Sequence, residues 1–201
     1  MLKCLVTGAS SGIGKATCQV LTRHGAAVVG VGRNVEALEE LKSSSDIVDY
    51  VSGDLTEPGM CESLVNRSSS ILGGLTSVVN AAGVLKGGAI GDPNTNLDNY
   101  QFNMSVNLQA PFEVMVHAIP HLRKAKEINT QISPSIVNVS SVNGKQSFAA
   151  CATYCMSKAA LDQLTRCASI DLAGDGIRVN SVNPGVILTN LQKVRLLIMY
   201  A

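Results

Sequence analysis

Short apolar runs alternate along this chain with segments whose apolar residues return at helical spacing. The run LKCLV ends in a glycine-rich turn, and helical sequence follows from about Ile13 to His24, where Gly25 stops it. AAVVGVG is a second strand-like run, and NVEALEELK is a short helix with Asn34 as its N-cap. DIVDYVSGD reads as a third strand, and Pro58 opens a helix towards Leu72. LTSVVNAAG is a fourth strand. A long helix then runs from about Asp98 to Lys126, with kinks expected at Pro111 and Pro120. SPSIVNVSS is a fifth strand, Tyr154 to Leu172 is helical, and GDG turns the chain into a sixth strand, IRVNSVNPG. Continuous rather than alternating apolar runs predict strands covered on both faces. The βαβα rhythm predicts an α/β fold with a Rossmann-type doubly wound parallel sheet of about six strands. With no internal repeat, low-complexity tract or linker, residues 1–201 read as one domain.

Composition narrows the function classes. Apolar residues make up 46% of 201 positions and the formal net charge is +1, so there is no electrostatic case for binding nucleic acid or an anionic membrane. No apolar run approaches the ~20 residues of a membrane helix. The start MLKCLVTG leaves no room for a signal peptide, so the expected location is cytoplasmic. The six cysteines, at positions 4, 18, 61, 151, 155 and 167, form no C-x-x-C pair and no zinc pattern. They read as small apolar residues in a reduced compartment, and no metal site is expected.

The loop VTGASSGIG joins the first strand to the first helix, with Gly8, Gly12 and Gly14 spaced G-x-x-x-G-x-G. Glycine lets such a loop turn tightly, approach a pyrophosphate with its backbone, and pack helix on strand without an intervening Cβ. The helix N-terminus then presents free N–H groups and a positive dipole to phosphate. Where NAD-preferring folds place an acid after the second strand, this chain has Gly32, Arg33 and Asn34. The guanidinium of Arg33 suits a 2′-phosphate, which favours NADP over NAD. Asp54 either accepts from an adenine amino group or, in GDLTEP, is the N-cap before the next helix.

TYCMSK supplies the candidate chemistry. Tyr154 and Lys158 stand i and i+4 on one helix face. A phenol is a poor base at neutral pH, but a neighbouring ammonium stabilises its phenolate and fits it for proton transfer to or from a substrate oxygen. Ser140 and Ser141 end the fifth strand, at the sheet edge where ligands of open α/β sheets bind, and a serine there can hold a substrate oxygen. Asn107 lies inside the long predicted helix, where asparagine is disfavoured. It is read either as the anchor of a proton-relay water or as a buried amide serving neighbouring backbone. Gln146 and Phe148 are candidates for one wall of the substrate site.

Taken together, these motifs resemble the short-chain dehydrogenases/reductases in their single-domain form, nearest the 3-oxoacyl-carrier-protein reductase-like branch. The resemblance covers Leu2 to Thr189: TGASSGIG, NAAG at Asn80–Gly83, SVNLQAPF, NVSSVNG, YCMSK and NPGVILT, in order and spacing. It implies a nicotinamide-dependent oxidoreductase acting on a small carbonyl or alcohol. Tyr154 would be general acid/base and Lys158 its charge partner and ribose ligand. Asn107 would hold the relay water. Ser141, thirteen residues before Tyr154, would position the substrate oxygen, with Ser140 as the alternative. Cofactor contacts are implied for Gly8, Ser10, Ser11, Gly12, Ile13 and Gly14, for Arg33, Asn34, Asp54 and Leu55, and for Asn80, Ala81, Ala82 and Gly83. Tyr154, Lys158, Pro184, Gly185, Ile187 and Thr189 complete that set. The resemblance also implies a homodimer or homotetramer paired through the 98–126 and 154–172 helices. Two features depart from the pattern. Ser11 stands where members often carry a basic residue, which leaves Arg33 alone to favour NADP. The substrate-covering loop, last helix and last strand are not visible after Thr189, so a shortened C-terminus is expected. The alternative reading is a cofactor-binding remnant without useful catalysis that acts, if at all, by association.

Overall fold

The computed structural model describes residues 1–93, 95 and 97–187. Six strands form one parallel sheet in the order β3-β2-β1-β4-β5-β6: β1 Lys3–Thr7, β2 Ala27–Gly32, β3 Asp49–Ser52, β4 Ser77–Asn80, β5 Ser135–Val139 and β6 Arg178–Val182. The helices are α1 Gly12–Arg23, α2 Val35–Ser43, α3 Met60–Leu72, α4 Leu97–Met104, α5 Ala110–Ile128 and α6 Ala152–Asp171. This is the doubly wound Rossmann order, and the chain reverses its winding between β1 and β4, which opens a crevice at the carboxyl ends of those strands.

The continuous apolar runs have a direct explanation in β1 and β2. Cys4, Val6 and Val28 face Leu38 and Leu41 of α2, while Leu5, Val29 and Val31 belong to the opposite core with Leu64, Val65, Val114 and Met115. Alternate residues of one strand thus enter two different cores, and each fully buried aliphatic side chain contributes about 1.5–3 kcal/mol. The expectation that every strand is covered on both faces fails at β6. Val179 is buried but Arg178, Asn180 and Val182 are exposed, because among the described residues helices pack on only one face there. All six cysteines are free thiols, and burial pushes Cys4, Cys18 and Cys61 up to about 12.

Two boundaries differ from expectation. α3 starts at Met60 rather than Pro58, because Gly59 takes a left-handed conformation (φ +73°) and turns the chain after the proline. The long helix is interrupted at Asn107, not at Pro111. Ser105–Gln109 forms a π-helical turn in which the Ala110 N–H donates to the Ser105 carbonyl five residues back. Pro111 follows that turn in backbone that stays helical through Gln109 and Ala110, and Pro120 is inside α5. No helix of the described residues is long and apolar enough to cross a membrane.

Candidate active site

A cleft of about 410 Å³ opens at the crevice between β1 and β4. One wall is mostly backbone. Gly8 adopts φ +69°, and a Cβ there would lie 2.7 Å from the Ala82 nitrogen. A Cβ on Gly14 would overlap the Gly8 carbonyl oxygen. The two glycines therefore let the first turn of α1 close onto β1 and onto the loop after β4. Thr7 fastens that loop by accepting the N–H groups of Ala81 and Ala82, both at 3.1 Å. Ser11 caps α1 without a side-chain hydrogen bond, which leaves the first-turn N–H groups to the cleft. An anionic dinucleotide fits this wall, since unfilled donors and a helix dipole meet at one point.

Further along the same wall, Arg33 donates to Asp54 at 3.1 Å from a largely exposed position. The Thr56 backbone N–H first, then the Thr56 hydroxyl and Arg33, hold the Asp54 carboxyl below the ordinary carboxylate range. Asp54 thus holds its own turn instead of capping a helix, since α3 starts only at Met60 with Gly59 as its N-cap, and Arg33 lines the cleft. Asn34 accepts from the Ala37 N–H as the α2 N-cap. Asn80 does not line the cleft. It is buried and donates to Asn138 at 2.9 Å, Asn138 donates to Thr165, and Thr165 donates to the Leu161 carbonyl. That chain ties β4, β5 and α6 together behind the cleft.

The facing wall consists of side chains. Tyr154 and Lys158 are both buried, at 5% and 4% exposure, and the ammonium lies 5.9 Å from the tyrosine ring centroid. Lys158 Nζ donates to the Val139 carbonyl at 2.9 Å. Burial lowers its pKa to about 8, and the Asp162 carboxylate opposes that fall. The two serines divide. Ser140 donates to the Lys158 carbonyl at 3.2 Å, while the Ser141 hydroxyl accepts from the Asn143 N–H and donates weakly to its amide oxygen at 3.3 Å. Both serines and Asn143 line the cleft.

Asn107 is fully buried, and its side chain is spent on structure. It donates to the Val84 carbonyl and to Ser157 Oγ, and accepts from the Val84 N–H at 2.9 Å. Asn103, one helical turn earlier, pairs with Lys86 in the same two-way manner. The two amides act as substitute strand backbone for the loop after β4. Pro111 has no N–H to give the Asn107 carbonyl four residues behind it. Gly83 lies between the two groups: a Cβ there would sit 3.4 Å from Asn107 Oδ1 and 3.6 Å from Lys158 Nζ.

The remaining expected residues divide cleanly. Ser10, Ser11, Gly12, Ile13, Leu55, Ala81 to Gly83, Pro184, Gly185 and Ile187 all line the cleft. Thr189 lies outside the described residues, as does the stretch after it. Gln146 is exposed and Phe148 half-buried, and neither lines the cleft. Sequence reasoning missed Asn103, Asn143, Ser157 and Asp162. Asn103 carried the signal that exposed Asn107, an asparagine in a helical segment, but Ser157 and Asp162 look like ordinary residues of an amphipathic helix.

Comparison with known proteins agrees with this geometry. The sequence profile of the short chain dehydrogenase family matches residues 3–196. An L-xylulose reductase of Caenorhabditis elegans is 35% identical over 193 residues, 93% of this chain and 72% of the relative. An uncharacterised oxidoreductase of Staphylococcus epidermidis is 32% identical over 186 residues, 92% and 77% of the two chains. Among solved structures, an actinorhodin polyketide ketoreductase variant with NADPH superposes with a TM-score of 0.86 at 29% identity, covering 96% of this chain and 74% of that one. A short-chain dehydrogenase/reductase from C. elegans with cofactor gives 0.84 at 35% identity, covering 96% and 72%. The chain belongs to the short-chain dehydrogenase/reductase family and is an oxidoreductase acting on a CH–OH/C=O pair.

Proposed function

We propose that residues 1–201 work as one NADP-dependent reductase/dehydrogenase domain for a small carbonyl or alcohol, with Tyr154 as general acid/base. The observation that carries this reading is the burial of Tyr154 and Lys158 one turn apart, beside Ser141, in a cleft that continues to the glycine loop. A nicotinamide bound in this cleft would supply or accept the hydride at the substrate carbon. In reduction, Ser141 turns its hydroxyl from Asn143 to the substrate oxygen and Tyr154 delivers the proton to that oxygen. In oxidation, the phenolate removes the proton. Lys158 holds positive charge beside the phenol and so favours the phenolate. Because the Asn107 side chain is engaged, a relay water would rest on its main-chain carbonyl, which Pro111 leaves without one helical donor.

Support for NADP comes from Arg33, which faces the cleft where a 2′-phosphate would lie, and from the NADPH in the ketoreductase neighbour. A homo-oligomer through α5 and α6 is supported by the exposed apolar residues Phe112, Val116, Met156 and Ile170 on those helices. The named relative makes ketoses and their polyols the first substrates to try. The test is NADPH and NADH consumption across a panel of carbonyls, with Tyr154→Phe as control. Turnover that survives in Tyr154→Phe would sink the acid/base assignment. Tight NADPH binding with no turnover of any carbonyl would favour a cofactor-binding protein without catalysis.

A further inference from the structure

Asp162 is a buried carboxylate, 5% exposed, one turn beyond Lys158 on α6, and the chemistry above does not use it. Its two oxygens accept from the Asn183 amide at 3.1 and 2.9 Å. The same Asn183 nitrogen donates to the Ser141 carbonyl at 2.9 Å. Asn183 leads directly into Pro184–Gly185, which lines the cleft, and the Pro184 carbonyl accepts from the Val142 N–H at 3.0 Å. One amide therefore joins three pieces of the site: the end of β6, the serine turn after β5, and the helix of Tyr154 and Lys158.

Gly144 packs directly against Asp162 and the α6 backbone. A Cβ on Gly144 would lie 2.7 Å from Asp162 Oδ2 and 3.0 Å from the Lys158 carbonyl. The groups that meet the Asp162 carboxylate are the Asn183 amide from the end of β6 and Gly144 from the turn after β5. Arg166, a turn further on, is exposed and donates to Gln163.

We propose that Asp162 is a positioning residue of the cofactor and proton-transfer site. By gripping Asn183 it fixes the Ser141 turn and the Pro184–Gly185 turn to α6. The inference rests on the roles of Tyr154, Lys158 and the cleft proposed above. A plain helix-packing aspartate would not do this, and its removal would change stability alone.

Three variants test the tie: Asp162→Asn keeps an acceptor for Asn183, Asp162→Ala removes both acceptors, and Asn183→Ala removes the donor. NADPH affinity is read by fluorescence titration, with NADH substituted if it binds tighter. Asp162→Ala and Asn183→Ala are expected to weaken NADPH binding about tenfold, and Asp162→Asn to restore it to within about threefold of wild type. If Asp162→Ala does not fold, Asn183→Ala decides. Wild-type NADPH affinity in Asn183→Ala overturns the proposal. This readout requires no turnover, so failure of the catalytic assignment to Tyr154 would show separately, as activity retained in Tyr154→Phe.

Discussion

The two walls of the cleft are made by different means. The β1–α1 wall works through backbone: glycines without side chains, an N-cap without a cap bond, and a loop held by Thr7. The β5–α6 wall works through buried side chains, namely Tyr154, Lys158, Ser141 and Asp162. A backbone wall tolerates loss of a side chain but not gain of one. A side-chain wall behaves in the opposite way.

The largest expected contrast comes from the proposed acid/base group. Tyr154→Phe should lower turnover by about 10²–10⁴-fold, the usual worth of a positioned acid/base, while NADPH affinity stays within about threefold. Single-turnover kinetics with the best substrate of the panel will check it, and equal loss of binding and rate would blur the distinction between walls. On the other wall, Gly14→Ala should weaken NADPH binding by roughly tenfold to a hundredfold, since one methyl displaces α1 from the Gly8 carbonyl. Ser10→Ala should change it by less than about threefold. Isothermal titration of both variants tests whether addition and deletion differ as stated.

A smaller effect is expected at Arg33, where alanine should cost NADPH about tenfold in affinity and NADH almost nothing. Equal losses for the two cofactors would remove the NADP assignment. Stability separates the walls again. Asn107→Ala strands the Val84 N–H and carbonyl, and should lower stability by about 2–3 kcal/mol in urea melts. The gentlest test is pH. Lys158 has its pKa lowered to about 8, so its charge is present below that value and lost as pH rises through it. Carbonyl reduction should therefore fall through pH 8, whereas NADPH binding at the glycine loop should not follow the same curve. A reduction rate flat from pH 7 to about 9.5 would contradict it.

Much of this contrast was legible in the sequence, but unevenly. The backbone wall is a local motif, and strand, glycine loop and helix are neighbours in the chain. The Tyr154–Lys158 pair was equally visible because i and i+4 share a helix face. What the spacing of Asn107 foretold was only that a mid-helix asparagine needs a reason. Its partner Val84 is 23 residues away, and nothing in SVNLQAPF names it. The break expected at Pro111 is a π turn at Ser105–Gln109, which contains the Asn107 carbonyl that Pro111 leaves without its usual donor. The boundary of β6 coverage was misjudged for a related reason: IRVNSV alternates in burial, but which face meets a helix is not written in the strand.

By itself the sequence determined the elements, their parallel order around a glycine loop, and the residues able to carry acid/base chemistry. Those properties depend on side chains a few positions apart, where the geometry of helix and strand is already known. Only the tertiary structure decided what those residues are worth. It buried Lys158 against the Val139 carbonyl, committed the Asn107 amide to Val84, and joined Asn183 to both Asp162 and the Ser141 carbonyl 42 residues distant. Desolvation and long-range hydrogen bonds exist only once distant segments exclude water together, and the charges and donors of the site are set there.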